Sequence, residues 1–167
     1  MSDELRTKTI ETPYGSITTK TTTVEPTPQV ITAASLNTLK TINANASQGN
    51  KFIATYLPKV DNPTLKDFDV AFRMWQADKS KHHTKQQVIE ILGAHLGNKL
   101  VSDFKMEWVV VKDEYGTDLA VRAKKYEVVA FPFSSVVKRI ENNQYDFMVG
   151  VYHAVKASIE SGDAKAR

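Results

Sequence analysis

Met106-Glu107-Trp108-Val109-Val110-Val111-Lys112-Asp113-Glu114-Tyr115-Gly116-Thr117-Asp118-Leu119-Ala120-Val121-Arg122-Ala123 is the stretch whose reading decides the fold. Met106 to Val111 and Leu119 to Ala123 alternate with a period of two and are rich in β-branched residues, as strands on a packed surface are. Between them Asp113-Glu114-Tyr115-Gly116 predicts a turn, because Asp bonds nearby backbone and Gly accepts positive φ. Lys124-Lys125 makes a second tight link to a strand over Tyr126–Phe131, which Pro132 stops. Three strands with short links predict an antiparallel meander.

On both sides of the meander the apolar spacing becomes helical. Thr32 is expected to cap a helix with Leu36, Leu39, Ile42 and Ala46 on one face, and its phase continues through Gly49 to Ile53 and Tyr56 as one kinked helix. Asn62-Pro63-Thr64 opens a second, with proline at the first helical position, lined by Leu65, Phe68, Ala71, Phe72 and Trp75. Thr84 with Gln87 forms a capping-box pattern ahead of Val88, Ile91, Leu92, Leu96 and Leu100. After the meander, Ser134 or Ser135 is expected to cap a short helix. Asn143 is expected to open a last one, carrying Tyr145, Met148, Val149, Tyr152, Val155 and Ile159 and ending at Ser161-Gly162. The predicted class is α+β: a three-stranded antiparallel meander packed against four to five helices, one sheet face covered and one edge open.

Residues 1–32 differ from the rest. Ten of them are threonine, and two strand-like runs flank Pro13-Tyr14-Gly15, which predicts an N-terminal β-hairpin arm. An isolated hairpin is marginal in water, so the arm is expected to dock, to pair with a partner's sheet, or to move freely. A single domain over residues 33–160 and a frayed tail over 161–167 complete the predicted organisation.

Bulk properties set limits on function. The 167 residues are 41% hydrophobic, enough for one core without a staple. The chain has no cysteine, which excludes disulfides, thiolate metal sites and a cysteine nucleophile. Its acidic start, Met1-Ser2-Asp3-Glu4, lacks the basic and apolar pattern of a secretory signal, and no stretch is apolar enough for a membrane span. A soluble, cytoplasmic protein is the expectation. The net charge of +3 is spread along the chain without a dense basic run, so nucleic acid is not the expected partner.

Few residues gather in patterns that carry chemistry. Glu107, Asp113, Glu114 and Asp118 lie on one hairpin, where carboxylates on a rigid sheet bind a divalent metal or form an acid–base pair. Asp and Gly are equally ordinary turn residues, and that reading is preferred. His82 and His83 are adjacent and point apart; with His95 and His153 they match no zinc motif. Gly93 and Gly97 sit four apart in a helix without a preceding strand, so they suit close packing of a neighbour rather than a phosphate loop. Trp108, Tyr115 and Tyr126 with Arg122, Lys124 and Lys125 have the composition of a nucleic-acid platform, but Trp108 alternates with Met106 and Val110 and so belongs to the core face.

Glu107 to Val121, together with Phe131-Pro132-Phe133-Ser134-Ser135-Val136-Val137-Lys138-Arg139-Ile140-Glu141, resembles a bacterial family of small domains of unknown function. In that family a Leu-Gly-x-x-Leu-Gly helix precedes a Trp-Val-Val strand; this chain reads Leu92-Gly93-Ala94-His95-Leu96-Gly97. The resemblance spans about residues 62–160 and implies a bacterial cytoplasmic domain without an established activity, cofactor or catalytic residue. With no catalytic set in view, the leading expectation is a non-enzymatic protein-binding module that needs no cofactor or metal. One concrete form is an immunity protein that neutralises an interbacterial toxin. Asp113, Glu114, Arg122, Lys138 and Arg139 are the expected contact residues. The alternatives are a metal-assisted hydrolase on the four carboxylates and a homo-oligomer, in the simplest case a homodimer, joined through the arm or a sheet edge.

Overall fold

A computed structural model of the chain describes residues 5–12, 15–22 and 28–165. Strands β1 (Leu5–Thr12) and β2 (Gly15–Thr22) pair antiparallel, from Leu5↔Thr22 to Thr12↔Gly15, in a two-stranded sheet of their own. The Pro13-Tyr14 portion of the expected turn lies outside the described residues. Next come β3 (Val30–Ala33), α1 (Leu36–Ser47), α2 (Gly49–Tyr56), α3 (Leu65–Ala77) and α4 (Lys85–Phe104). The chain continues through β4 (Glu107–Asp113), β5 (Gly116–Ala123), β6 (Val128–Ala130), α5 (Pro132–Glu141) and α6 (Met148–Lys165).

The expected meander is present as β4-β5-β6, but the main sheet has four strands. β3 pairs antiparallel with β4, with Thr32 opposite Val110. Val30–Thr32 thus belong to the domain's sheet and not to the arm, and Thr32 is a strand residue instead of a helix cap. That role falls to Ser35, whose Oγ accepts from the Thr38 N–H at 3.1 Å. A run of four residues has no periodicity long enough to declare itself; only its partner strand defines it.

Other boundaries move for local reasons. Pro63 precedes the helix it was expected to begin, and Thr64 and Asp67 form the capping box of α3. The predicted box of Thr84 and Gln87 starts α4. α5 begins at Pro132, ahead of Ser134 and Ser135; proline suits the first turn because the missing N–H has no partner there. Asn143 does not open α6. It has φ of 51° just past the end of α5, and Asn tolerates that left-handed conformation at a helix end. Nor does Gly162 close α6, which runs on to Lys165. A Cβ on Gly162 would lie 2.4 Å from the Tyr126 ring, so this glycine permits contact and does not terminate the helix.

α4 is the central element, touching α1, α2, α5, α6, β4 and β5. Its Val88, Leu92, Leu96 and Leu100 are fully buried together with Phe52, Phe68 and Phe72. A Cβ on Gly97 would lie 2.1 Å from the Trp108 ring, and one on Gly93 would lie 2.4 Å from the Phe133 ring. The Trp108 indole N–H donates to Asn98 Oδ1 at 2.9 Å, and the Asn98 amide donates to Asn43 Oδ1 at 2.9 Å. Trp108, Val121 and Ala130 face the helices, whereas Val109, Val111 and Ala120 form a smaller buried cluster on the opposite face with Ile31, Val129 and Phe131. Both sheet faces therefore bury apolar side chains, against the expected single covered face.

Asp69, in the middle of α3, is 4% exposed. Its carboxylate accepts the backbone N–H groups of Phe147 (3.1 Å), Met148 (2.9 Å) and Val149 (3.2 Å), which start α6. An anion at a helix N-terminus satisfies donors that have no partner within the helix and opposes the positive end of its dipole.

Three substitutions test these joints by urea denaturation. Gly97→Ala forces α4 and β4 apart and should lower stability by about 1–3 kcal/mol, the usual cost of overpacking. Asp69→Ala leaves two buried donors and one half-buried donor unsatisfied and should cost about 2–4 kcal/mol, with Asp69→Asn losing less because one acceptor oxygen remains.

Candidate functional site

The β4–β5 turn and the adjoining face of α5 border a surface cleft. Asp113 Oδ1 accepts the Tyr115 N–H at 2.9 Å, and Gly116 has φ of 136°, a conformation that glycine alone adopts easily. Glu114 and Tyr115 make a two-residue turn that holds the Tyr115 ring 90% exposed. Ser134 and Lys138, one turn apart on α5, face this hairpin across a cleft of about 350 Å³. Val111 and Phe131 supply its apolar lining, and Asp113, Tyr115, Asp118, Ser134 and Lys138 its polar one. Ser134 Oγ donates to Asp118 Oδ2, while Asp118 Oδ1 accepts its neighbour's Leu119 N–H at 2.8 Å. Both oxygens of Asp118 are thus engaged, Oδ2 in tying β5 to α5 and Oδ1 within β5.

Of the contact residues expected from sequence, Asp113 and Lys138 line this cleft, and Glu114 stands at its turn. Arg122 does not join them: it lies opposite Glu107 near the far end of β5. Arg139 follows Lys138 by one residue, about 100° further round α5. The four carboxylates considered for a metal are likewise spread out, since Glu107 and Asp113 are at opposite ends of β4. No group of three or more His, Asp or Glu among the described residues is placed to hold a metal ion.

Two features that sequence reasoning missed resemble reactive sites in composition and differ from them in geometry. In the loop after α3, Asp78, Ser80 and His82 cluster, with Ser80 Oγ 2.6 Å from Asp78 Oδ1 and His82 Nδ1 2.9 Å from Asp78 Oδ2. The same Nδ1 lies 2.8 Å from Ser80 Oγ, whereas a catalytic triad uses the two ring nitrogens for serine and aspartate separately. The cluster closes a loop. Ser80 first, then His82, holds the Asp78 carboxyl well below the usual carboxylate range. Burial, with help from Asp78 at 3.2 Å, pushes the Tyr56 hydroxyl up to about 12.

The second feature is a cleft of about 480 Å³ where α3 and α5 end, lined by Arg73, Gln76, Lys81, Asn143 and Tyr145. Its cations are already partnered. Arg73 bonds both oxygens of Asp146, at 2.8 and 2.9 Å, and lies over Tyr145. Lys81 donates to the carbonyls of Trp75 and Gln76 at the end of α3. Lysine there complements the negative end of the helix dipole, so the cleft is a structural joint.

Residues 67–152 match the family described as Domain of unknown function (DUF3806). The chain belongs to this family. The matched region runs from the first turn of α3 into α6 and contains Asp69, the Gly97–Trp108 contact and the whole Tyr115 cleft; β1, β2, β3, α1 and α2 lie outside it. A crystal structure from Bacteroides thetaiotaomicron VPI-5482, at 1.50 Å resolution, is similar to this chain with a TM-score of 0.59 and 14% identity. The similarity covers 86% of this chain and 52% of that one, so the chain spans about half the length of that protein. It is a likeness of fold. No curated protein matches the chain, and no helix among the described residues is long and apolar enough to cross a membrane.

The histidines generate a pH prediction. Burial pushes the His95 imidazole, stacked on Phe68 at 4.0 Å, below its ordinary value, aided by Lys99. Burial likewise lowers His83, with His82 and Lys51 adding to the effect; its Nδ1 is buried without a hydrogen-bonding partner among the described residues. Because these groups are harder to protonate when folded, stability is intact above the unfolded-state value of about 6.5 and declines as pH falls below it. Urea titrations should show this loss as pH falls below about 6.5, with a slope of up to about 1.4 kcal/mol per pH unit for each group. His95→Phe, which keeps the stacking, should make that slope shallower.

Proposed function

We propose that the chain is a non-enzymatic protein-binding module whose contact surface is the β4–β5 turn together with the cleft beside α5. The observation that carries this reading is Tyr115, 90% exposed yet held on a two-residue turn next to a cleft that is apolar within and charged at its edge. A tyrosine fixed by its backbone loses little conformational freedom on binding, and buried aromatic anchors dominate interface energies. Asp113, Glu114 and Lys138 around it provide charge matching that sets orientation and association rate. Arg122 and Arg139 are not part of this surface.

An immunity protein that neutralises an interbacterial toxin in the cytoplasm is the concrete form we propose. The Tyr115 turn would enter the toxin's active site and occlude it, and no cofactor is required. The metal-assisted hydrolase is not carried forward, because Glu107 stands far from Asp113 and Asp118 already bonds Ser134 and the Leu119 N–H.

The test is co-expression with the product of the adjacent gene, pull-down, and titration calorimetry of the complex. Tyr115→Ala should weaken binding by at least about tenfold, the loss of an aromatic anchor. Lys138→Glu should slow association most at low salt. Both variants should melt like the parent. Absence of any complex at micromolar concentration, or unchanged affinity for Tyr115→Ala, overturns the proposal.

A further inference from the structure

β3 forms one margin of the main sheet; the other margin, β6, meets α6. The direction of its main-chain groups follows from one bond. The Ala34 N–H donates to the Trp108 carbonyl at 3.0 Å, and the paired register places Thr32 opposite Val110 and Val30 opposite Lys112. In an extended strand the N–H and C=O groups of successive residues point to alternate sides. Val30, Thr32 and Ala34 therefore bond β4, and Ile31 and Ala33 direct theirs outward. No described strand pairs on that side.

Edge strands are ordinarily guarded by a charge, a proline or a bulge. Val30-Ile31-Thr32-Ala33 contains neither charge nor proline and pairs with β4 in an unbroken register. Thr32 and Ala33 are exposed, Val30 is 54% exposed, and Leu36, just past the strand, is 79% exposed.

We propose that β3 pairs antiparallel with β3 of a second copy of the chain, about a two-fold axis through Thr32, so that two four-stranded sheets become one. The outward groups dictate this register. Ile31 of each copy faces Ala33 of the other, giving four main-chain hydrogen bonds, and Thr32 faces Thr32. Threonine pairs are favourable across antiparallel strands, and no like charges meet. Val30 and Leu36 extend the contact with apolar surface. A two-fold contact of this kind uses the same patch on both copies and stops at a dimer. A four-residue strand buries much less than the ~1,200 Å² of a stable interface, so the dimer is weak and concentration-dependent. The inference uses the edge of the sheet and does not rest on the Tyr115 cleft.

The test is sedimentation of the full chain from about 10 µM to about 1 mM, where weak dimers of this kind dissociate and form. The average mass should rise from one chain toward two, and the Ile31 and Ala33 amides should gain protection from hydrogen exchange with concentration. Ala33→Pro removes an outward N–H and spares the ladder to β4, an arrangement in which proline is tolerated in an edge strand. It should stay monomeric with an unchanged melting temperature. Leu36→Glu, at an exposed position that cannot affect folding through the core, should raise the dissociation constant at least about tenfold. A wild-type chain that remains monomeric at the highest concentration overturns the proposal. So does wild-type dimerisation by both variants, which would place the joint elsewhere, or protection that appears only when an added partner protein supplies the strand.

Discussion

At Gly97 the Trp108 ring lies so close to α4 that a methyl group would occupy the same space, and at Gly93 the Phe133 ring does the same. This contact sets the distance between the central helix and both the sheet and α5. The indole cannot retreat, because its N–H is held by Asn98 and through it by Asn43 of α1. A close-packed interior transmits any change in that distance to the elements resting on it. The β4–β5 turn is one of them: Tyr115 extends from the same strand that carries Trp108, seven residues further along the chain. Gly93, Gly97, Trp108 and Phe133, which interlock in this way, all lie within the residues that match the family.

Charge organises the remainder. The Asp69 carboxylate sits inside the protein because three N–H groups at the start of α6 receive it, and α6 in turn reaches back to the meander, where Tyr126 packs on Gly162 and donates to Asp163. Lys81 closes the end of α3, and Asp118 ties β5 to α5 through Ser134. Each of these groups would attract notice in a search for chemistry. Each has its lone pairs or protons engaged by a neighbouring element, so its first effect is to fix geometry. An aromatic turn and a strand edge that no described strand pairs with project from this framework.

Much of the architecture was legible in the residue pattern. The capping pair Thr84 and Gln87, the α4 face from Val88 to Leu100, and the turn at Asp113 to Gly116 depend on interactions within a few residues, and the structure forms them as expected. The errors occur where the deciding partner is distant in sequence. β3 is defined by β4, about eighty residues later, and Gly162 is explained by Tyr126 rather than by helix termination. At the candidate site, residue types singled out Asp113, Glu114 and Lys138, but the same signal also selected Arg122 and Arg139, because surface charge has no period that reveals which side chains meet.

The sequence by itself determined the α+β class, the central helix, the meander and the absence of thiol chemistry, because hydrophobic period, turn residues and composition act locally or on the chain as a whole. Only the tertiary structure decided that the sheet has a fourth strand, that Asp69 is the anchor of a helix about eighty residues away, and that Tyr115 and Lys138 border one cleft while Arg122 does not. Those outcomes depend on pairings across long loops, whose energies come from groups that meet only once the chain has closed on itself.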